Sequence, residues 1–351
     1  MSKNGASVFK IAAAYIGTVV GAGFATGQEI FQFFSQFGFP GLAGLFAATV
    51  LFIVFGYMIM EAGQRLHAHS HFEIIHYACG PVLGAALDYI ITFFLFGALS
   101  VMIAGTGALF AQHLHMPAVL GNGVMAAFTA ITVLSGIHGV INSISFVVPF
   151  LLAAVFLTGI LAMLQVPPDL FAAAPAGSGS GLVTNWPLAA VLYVSYNILL
   201  SLAVLGPLGA NVREKKTLLA GAFWGGLGLG AGGAMIYLAL SGHLAELGGV
   251  ELPMVYLAAK ISFPCQILYT VVLVAEVYTT AVGSLYGFVA RITKNRHPAS
   301  KTAATLWTAA AAFCAGRAGF ANLVGFLYPV IGYSGIILLA GLADIYLWRK
   351  K

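Results

Sequence analysis

The chain has 351 residues, of which 60% are hydrophobic and only 7% charged, and its formal net charge is +5. A water-facing shell must be polar, so this composition excludes a soluble globular domain of this length. Apolar windows of about twenty residues recur along the chain, each long enough to cross a bilayer, which predicts an all-α polytopic membrane protein with no appended soluble domain.

Ten spans are predicted, over 8–37, 41–65, 82–113, 118–137, 142–164, 187–209, 217–240, 263–291, 303–315 and 321–347, the ninth being the shortest. The first contains Ile16-Gly-Thr-Val-Val-Gly-Ala-Gly-Phe-Ala-Thr-Gly-Gln-Glu29, with four glycines and a carboxylate where a helix should run unbroken. Glycine at that density lets the backbone leave helical geometry. In hydrocarbon, freed N–H and C=O groups persist only where protein buries them or a polar cavity hydrates them. A broken helix at a mid-membrane binding site is one reading; close packing through small residues is the other. In a broken helix, the half that starts near Phe24-Ala25-Thr26 would turn free amides and its positive dipole end to the midplane, favouring an anion such as a carboxylate. At ~1.5 Å per residue, Glu29 would stand roughly 9–12 Å beyond the break, with Gln28, Gln32 and Ser35 lining an aqueous vestibule. The charged start and small residues before Thr26 also fit a cleaved signal peptide, but the apolar stretch continues through Phe31, Phe33 and Phe34, so it is read as a span.

The second span ends in His67, His69 and His71, with His76 and Cys79 nearby; a cytoplasmic polar loop is expected there rather than a metal site. The segment 166–186 holds Pro167-Pro168 and Gly177-Ser-Gly-Ser-Gly181, a flexible-linker composition. It divides the chain into a first five-helix repeat, 1–165, and a second, 187–351, within one membrane domain. Five is odd, so the second group must enter the membrane from the opposite side, which is the plan of an inverted-topology repeat. That plan requires the sixth span to be broken like the first. Tyr193, Tyr196 and Asn197 lie on one face there, with Ser201 a turn beyond, and Asn is a poor helix former; a lone interhelical Asn bond is the alternative.

Glu276 falls near the centre of the eighth span, where a buried ionisable group costs on the order of 3 kcal/mol even on the most lenient scale. Thr279, Thr280 and Ser284 follow on the same stripe. Oxygen ligands beside freed carbonyls suit a hard monovalent cation or a proton relay; hydroxyls bonding back to their own helix, beside a protonated Glu276, are the alternative.

If the N-terminus is cytoplasmic, all of the fifteen Lys and Arg residues except Lys260 and Arg317 fall on the inner side. This positive-inside bias predicts a multi-pass protein of the cell (inner) membrane with both termini cytoplasmic, and it accounts for the net charge without a nucleic-acid partner. Cys79, Cys265 and Cys314 form no disulfide or metal pattern. No serine elbow, zinc motif or P-loop is present, so neither catalysis nor ATP-driven transport by this chain alone is expected.

The run Gly17-Thr-Val-Val-Gly-Ala-Gly-Phe24 resembles the unwound first helix of LeuT-fold transporters in the amino acid–polyamine–organocation superfamily. Extended through Glu29, and taken with Tyr193-x-x-Tyr-Asn197, it resembles YkvI-type bacterial membrane proteins over nearly the full length. The resemblance implies a sodium site built from the carbonyls of Gly17 and Val20 and the hydroxyls of Thr279 and Thr280. The small residue usual three positions before that hydroxyl pair is Glu276 here, so a proton could replace sodium. It also implies a substrate held between Gly21, Ala22, Gly23, Phe24, Ala25 and Thr26 on one side and Tyr193, Tyr196 and Asn197 on the other. The expected function is cation-coupled (Na⁺ or H⁺) secondary transport of a small organic solute, an amino acid or related compound, by alternating access. Glu29 and Glu276 would gate or handle protons, with no cofactor beyond a bound Na⁺. A membrane sensor or scaffold and a passive channel are the competing readings.

Overall fold

The computed structural model describes residues 7–68, 70–135, 140–175, 177, 179–293 and 298–347. Among them the backbone forms thirteen α-helices, two single 3₁₀ turns and no strand. The helices are α1 (Val8–Val19), α2 (Ala22–Ala25), α3 (Gln28–Phe33), α4 (Phe39–Leu66), α5 (His71–His113), α6 (Ala118–Ser135), α7 (Val140–Gln165), α8 (Trp186–Ala210), α9 (Lys215–Ser241), α10 (Pro253–Ile261), α11 (Phe263–Ile292), α12 (Pro298–Gly316) and α13 (Phe320–Leu347). Local chemistry sets the ends. Asn185 accepts the Leu188 amide at 2.9 Å and Pro187 follows it, opening α8. Ser262 and Pro264 open α11 in the same way. Ser70 and Glu73 form a capping box at the start of α5, and Gly80 (φ 73°) with Pro81 kinks that helix before its apolar run begins.

Among the described residues, seven helices are long and apolar enough to cross a membrane: α4, α5, α6, α8, α9, α11 and α13. The first expected span is shorter as an apolar helix, α1, because the chain breaks after Val19, while the fifth lies within the 26-residue α7. The ninth expected span, within α12, does not reach that measure, since Ser300, Lys301, Thr302 and Thr305 occupy its first turns.

The helices sort into two packed groups. In one, α1, α4, α8 and α9 contact one another; in the other, α5, α6, α11 and α12 do so, while α7 and α13 bridge the two. The α4–α8 seam is made by backbone. A Cβ on Gly209 would lie 2.0 Å from the Met60 carbonyl oxygen, and one on Gly63 would lie 2.1 Å from that of Gly206. At one end of the bundle, Glu61 of α4 receives Lys215 (2.7 Å) and Arg65 (2.8 Å), and the Arg65 guanidinium lies over the Tyr346 ring. At the kinked start of α5, Asp88 pairs with His71 and with Arg291 of α11, each at 2.9 Å.

The sixth span corrects an expectation. α8 is continuous from Trp186 to Ala210, with no break at Tyr193–Asn197. No glycine lies between Trp186 and Leu205, and the Asn197 amide donates to its own helix, at the Tyr193 carbonyl (2.9 Å), so its polarity is satisfied without unwinding. The linker segment packs rather than hanging free: the Ser180 hydroxyl donates to the Gly325 carbonyl at 2.5 Å and the Ala174 amide to that of Ser35 at 3.0 Å.

Gly209→Ala drives a methyl group into the α4 backbone, an overpacking that costs roughly 1–3 kcal/mol. The thermal midpoint in detergent is expected to fall by several degrees. Gly283→Ala, whose Cβ meets nothing within 4 Å, is expected to leave it unchanged or slightly raised.

Candidate functional site

The first span breaks twice. Val20 and Gly21 are extended after α1, the single turn α2 follows, and Gly27 then adopts φ 78° before α3. The last carbonyls of a helix have no intrahelical amide, which frees those of Gly17 through Val20. The second break is held by neighbours, for the Thr26 carbonyl accepts the Met254 amide at 2.9 Å and the Ala25 carbonyl accepts the Tyr269 hydroxyl at 2.5 Å. Inside the turn, the Thr26 hydroxyl donates to the Gly23 carbonyl and accepts the Gln28 amide.

The second break reverses the expected position of Glu29. Its side chain folds back onto the first break, where a Cβ on Gly23 would lie 2.1 Å from its Oε1. Tyr196 donates to its Oε2 at 2.5 Å. The buried Glu29 carboxyl group thus lies against α2, beside the amides where the sequence placed a substrate carboxylate. The rings of Phe33, Tyr193, Tyr196 and Tyr328 close around it, with the Tyr196–Tyr328 centroids 4.9 Å apart.

Across the break lies α11. Thr280 donates to Glu276 Oε1 at 3.4 Å and Thr279 to the Glu276 carbonyl at 3.0 Å, while the buried Glu276 Oε2 has no partner. Gly17, Val20, Gly21, Glu29, Tyr196, Asn197, Glu276, Thr279 and Thr280 all line one cavity of about 280 Å³. Among the described residues its wall contains no Lys, Arg or His. It sits between the two helix groups and runs past Leu200 and Val204 of α8 and Ser284 of α11, toward the helix ends that carry Lys215 and Arg291.

Ala22, Gly23, Phe24, Ala25, Thr26 and Tyr193 do not reach that cavity; they are buried behind it. Phe24 packs against Gly232 of α9, and Tyr193 sits among Phe33, Phe34 and Phe52. On the other side of α3, a second cavity of about 540 Å³ is lined by Gln28, Phe31, Gln32, Ser180, Glu251 and Asn322, among others. It contains the expected vestibule residues except Ser35, whose hydroxyl turns to the Ile30 carbonyl. His71 is taken up by Asp88, His69 lies outside the described residues, and no group of three metal-ligating side chains forms among those described.

The membrane protein YkvI of Bacillus subtilis (strain 168) is 30% identical to the chain over 348 residues, 97% of each protein. The chain belongs to the YkvI family. YyaD of the same organism is 27% identical over 329 residues, 92% of each, and no family model matches the sequence. Among solved structures, inward-facing Mhp1 superimposes with a TM-score of 0.67 at 13% identity, covering 100% of this chain and 80% of Mhp1. MhsT in complex with L-phenylalanine gives 0.65 at 15% identity, covering 100% and 91%. A substrate-bound, outward-open Na⁺-coupled sialic acid symporter gives 0.62 at 13% identity, covering 98% and 80%. At these identities the likeness is one of fold. This YkvI-family protein has the LeuT-type fold, and the structures it resembles are transporters.

Some cavity residues escaped the sequence reading: Phe94, Ala98 and Met102 of α5, and Tyr328 of α13. A tyrosine just before Pro329 in an otherwise apolar span was the available signal for the last.

A buried hydrogen bond contributes roughly 0.5–1.5 kcal/mol. Tyr196→Phe is therefore expected to lower stability, and a Tyr196→Phe/Glu29→Gln double-mutant cycle, read by SDS unfolding, should return a coupling of about that size.

Proposed function

We propose that this YkvI-family protein is a cation-coupled secondary transporter of a small organic solute, not an enzyme, working by alternating access. The observation that carries this reading is the single cavity in which the freed carbonyls of α1, the α11 hydroxyl pair and two buried carboxylates meet between two helix groups. In this reading the carbonyls of Gly17 and Val20, the hydroxyls of Thr279 and Thr280 and the unpartnered Glu276 oxygen hold the coupling ion, Na⁺ or H⁺. All are oxygen donors, as a hard cation requires. The solute lies beside Tyr196 and Asn197.

The six-residue helix α3 supplies the septum. Glu29 faces the α11-side cavity, while Gln28, Phe31 and Gln32 face the linker-side one. Alternating access then consists of moving the two groups so that each cavity in turn communicates with the region around Tyr196 and Glu29. The topology consistent with the clustered basic ends places both termini in the cytoplasm of a cell (inner) membrane and the 166–186 segment outside. It reads the ten elements as a 5+5 inverted repeat, of which α1 and α4 pair with α8 and α9 in one group.

Purified protein in liposomes should accumulate one or more labelled small solutes when Na⁺ and H⁺ gradients are imposed separately, and only one gradient should drive it. Thr280→Ala and Glu276→Gln should each cut the initial rate by roughly tenfold or more, the scale of one lost charge-assisted hydrogen bond. Absence of accumulation under both gradients, with no Na⁺-dependent or pH-dependent change in thermal midpoint, overturns the reading in favour of a channel or sensor.

A further inference from the structure

We propose that Glu29 fills, from within the chain, the place a solute carboxylate would take, so that the solute carried is a small organic amine or comparable cation lacking a carboxylate. The proposal rests on the transporter reading above and adds the substrate class.

Several hydrogen-bond donors on the cavity wall are turned toward the protein itself. The Tyr196 hydroxyl donates to Glu29, the Asn197 amide to the Tyr193 carbonyl, the Thr279 and Thr280 hydroxyls to Glu276, and the Thr18 hydroxyl to the Tyr15 carbonyl. Each of these donors is already engaged by the protein. Glu276 Oε2 is buried at 1% exposure without a partner, and the terminal carbonyls of α1 border the same space, together with the hydroxyls of Ser284 and Tyr328. A carboxylate offers only acceptors and would meet a described lining that holds two carboxyl groups and no basic side chain. An ammonium or guanidinium offers only donors and matches it.

Charge and shape agree. Two carboxyl groups and no basic side chain line the cavity. A coupling cation at Glu276 answers one of them and leaves Glu29, whose hydrogen-bond partner is the Tyr196 hydroxyl. Phe94, Tyr196 and Tyr328 supply ring faces along the wall, the surfaces on which organic cations are held. The close approach of Glu29 to Gly23 keeps the α2 amides covered: a Cβ at that position would displace the carboxyl group.

The test uses pairs that differ by one carboxylate: agmatine with arginine, tyramine with tyrosine, ethanolamine with serine. Binding is read as the shift in thermal midpoint of the purified protein, with and without Na⁺, and transport as uptake into liposomes under Na⁺ and H⁺ gradients. At least one amine is expected to bind and to exceed its amino acid by a hundredfold or more in affinity. Glu29→Ala uncovers the α2 amides and should raise amino-acid affinity at least tenfold while lowering that of the amine. Glu29→Gln, which keeps an acceptor for the Tyr196 hydroxyl, serves where the alanine variant does not fold; it should weaken amine binding tenfold and still exclude the amino acid. Amine binding without gradient-driven uptake upholds the substrate class and overturns the transporter reading. Amino acids bound or carried as well as their amines overturn the substrate class and leave the transporter reading standing. Failure of every amine to bind overturns the substrate class as well.

Discussion

A helix interrupted in hydrocarbon must find partners for every amide and carbonyl it releases, and the rest of this structure follows from how the chain meets that demand at Val20–Gly27. Released carbonyls at the second break are taken by Met254 and Tyr269, which ties α2 to α10 and α11. The Glu29 carboxyl group lies against Gly23 at the first break and ties α2 to α8 through Tyr196. The carbonyls at the end of α1 border a cavity, and there the oxygen-bearing stripe of α11 faces them. The break is thus stabilised on three sides by protein and open on the fourth, which is what localises chemistry in a bundle otherwise apolar.

That arrangement also explains the division of labour among the helices. The group containing α1, α4, α8 and α9 carries the break and the tyrosines; the group containing α5, α6, α11 and α12 carries Glu276 and the hydroxyls. Neither group forms the site alone. A solute and an ion bound at this boundary contact both groups at once, so their binding free energy depends on how the two are placed, which is the physical requirement for coupling a conformational change to occupancy.

Much of this was legible in the residues. Glycine density at 17–27 announced the first break, and the spacing of Glu276, Thr279 and Thr280 announced a polar stripe, because helical periodicity is a property of sequence. The position of Glu29 was not legible. Gly27-Gln-Glu reads as the continuation of a half-helix, and only the left-handed turn at Gly27, held from α10 by the Met254 amide, sends the carboxyl group back to Gly23. Asn197 misled for a related reason: an asparagine can end a helix or bond back into it, and the choice depends on partners in three dimensions. Tyr328 was hidden because one aromatic in an apolar span has the same appearance whether it lines a cavity or fills a core. Long-range contacts decide each of these cases, and local pattern does not carry them.

The contact between α4 and α8 has a mechanical meaning. Where side chains interdigitate, a boundary can slip by changing rotamers, each step small. Where backbone meets backbone, as at Gly63 with Gly206 and Gly209 with Met60, there are no torsions available to absorb a shift. These two helices therefore behave as one beam, and Tyr196, fixed to that beam, carries Glu29 with it. Displacement has to occur instead along the face toward α5 and α11, where Leu200, Val204, Phe94 and Met102 meet through flexible side chains around empty volume. The stiff seam thereby selects the axis about which the molecule can bend.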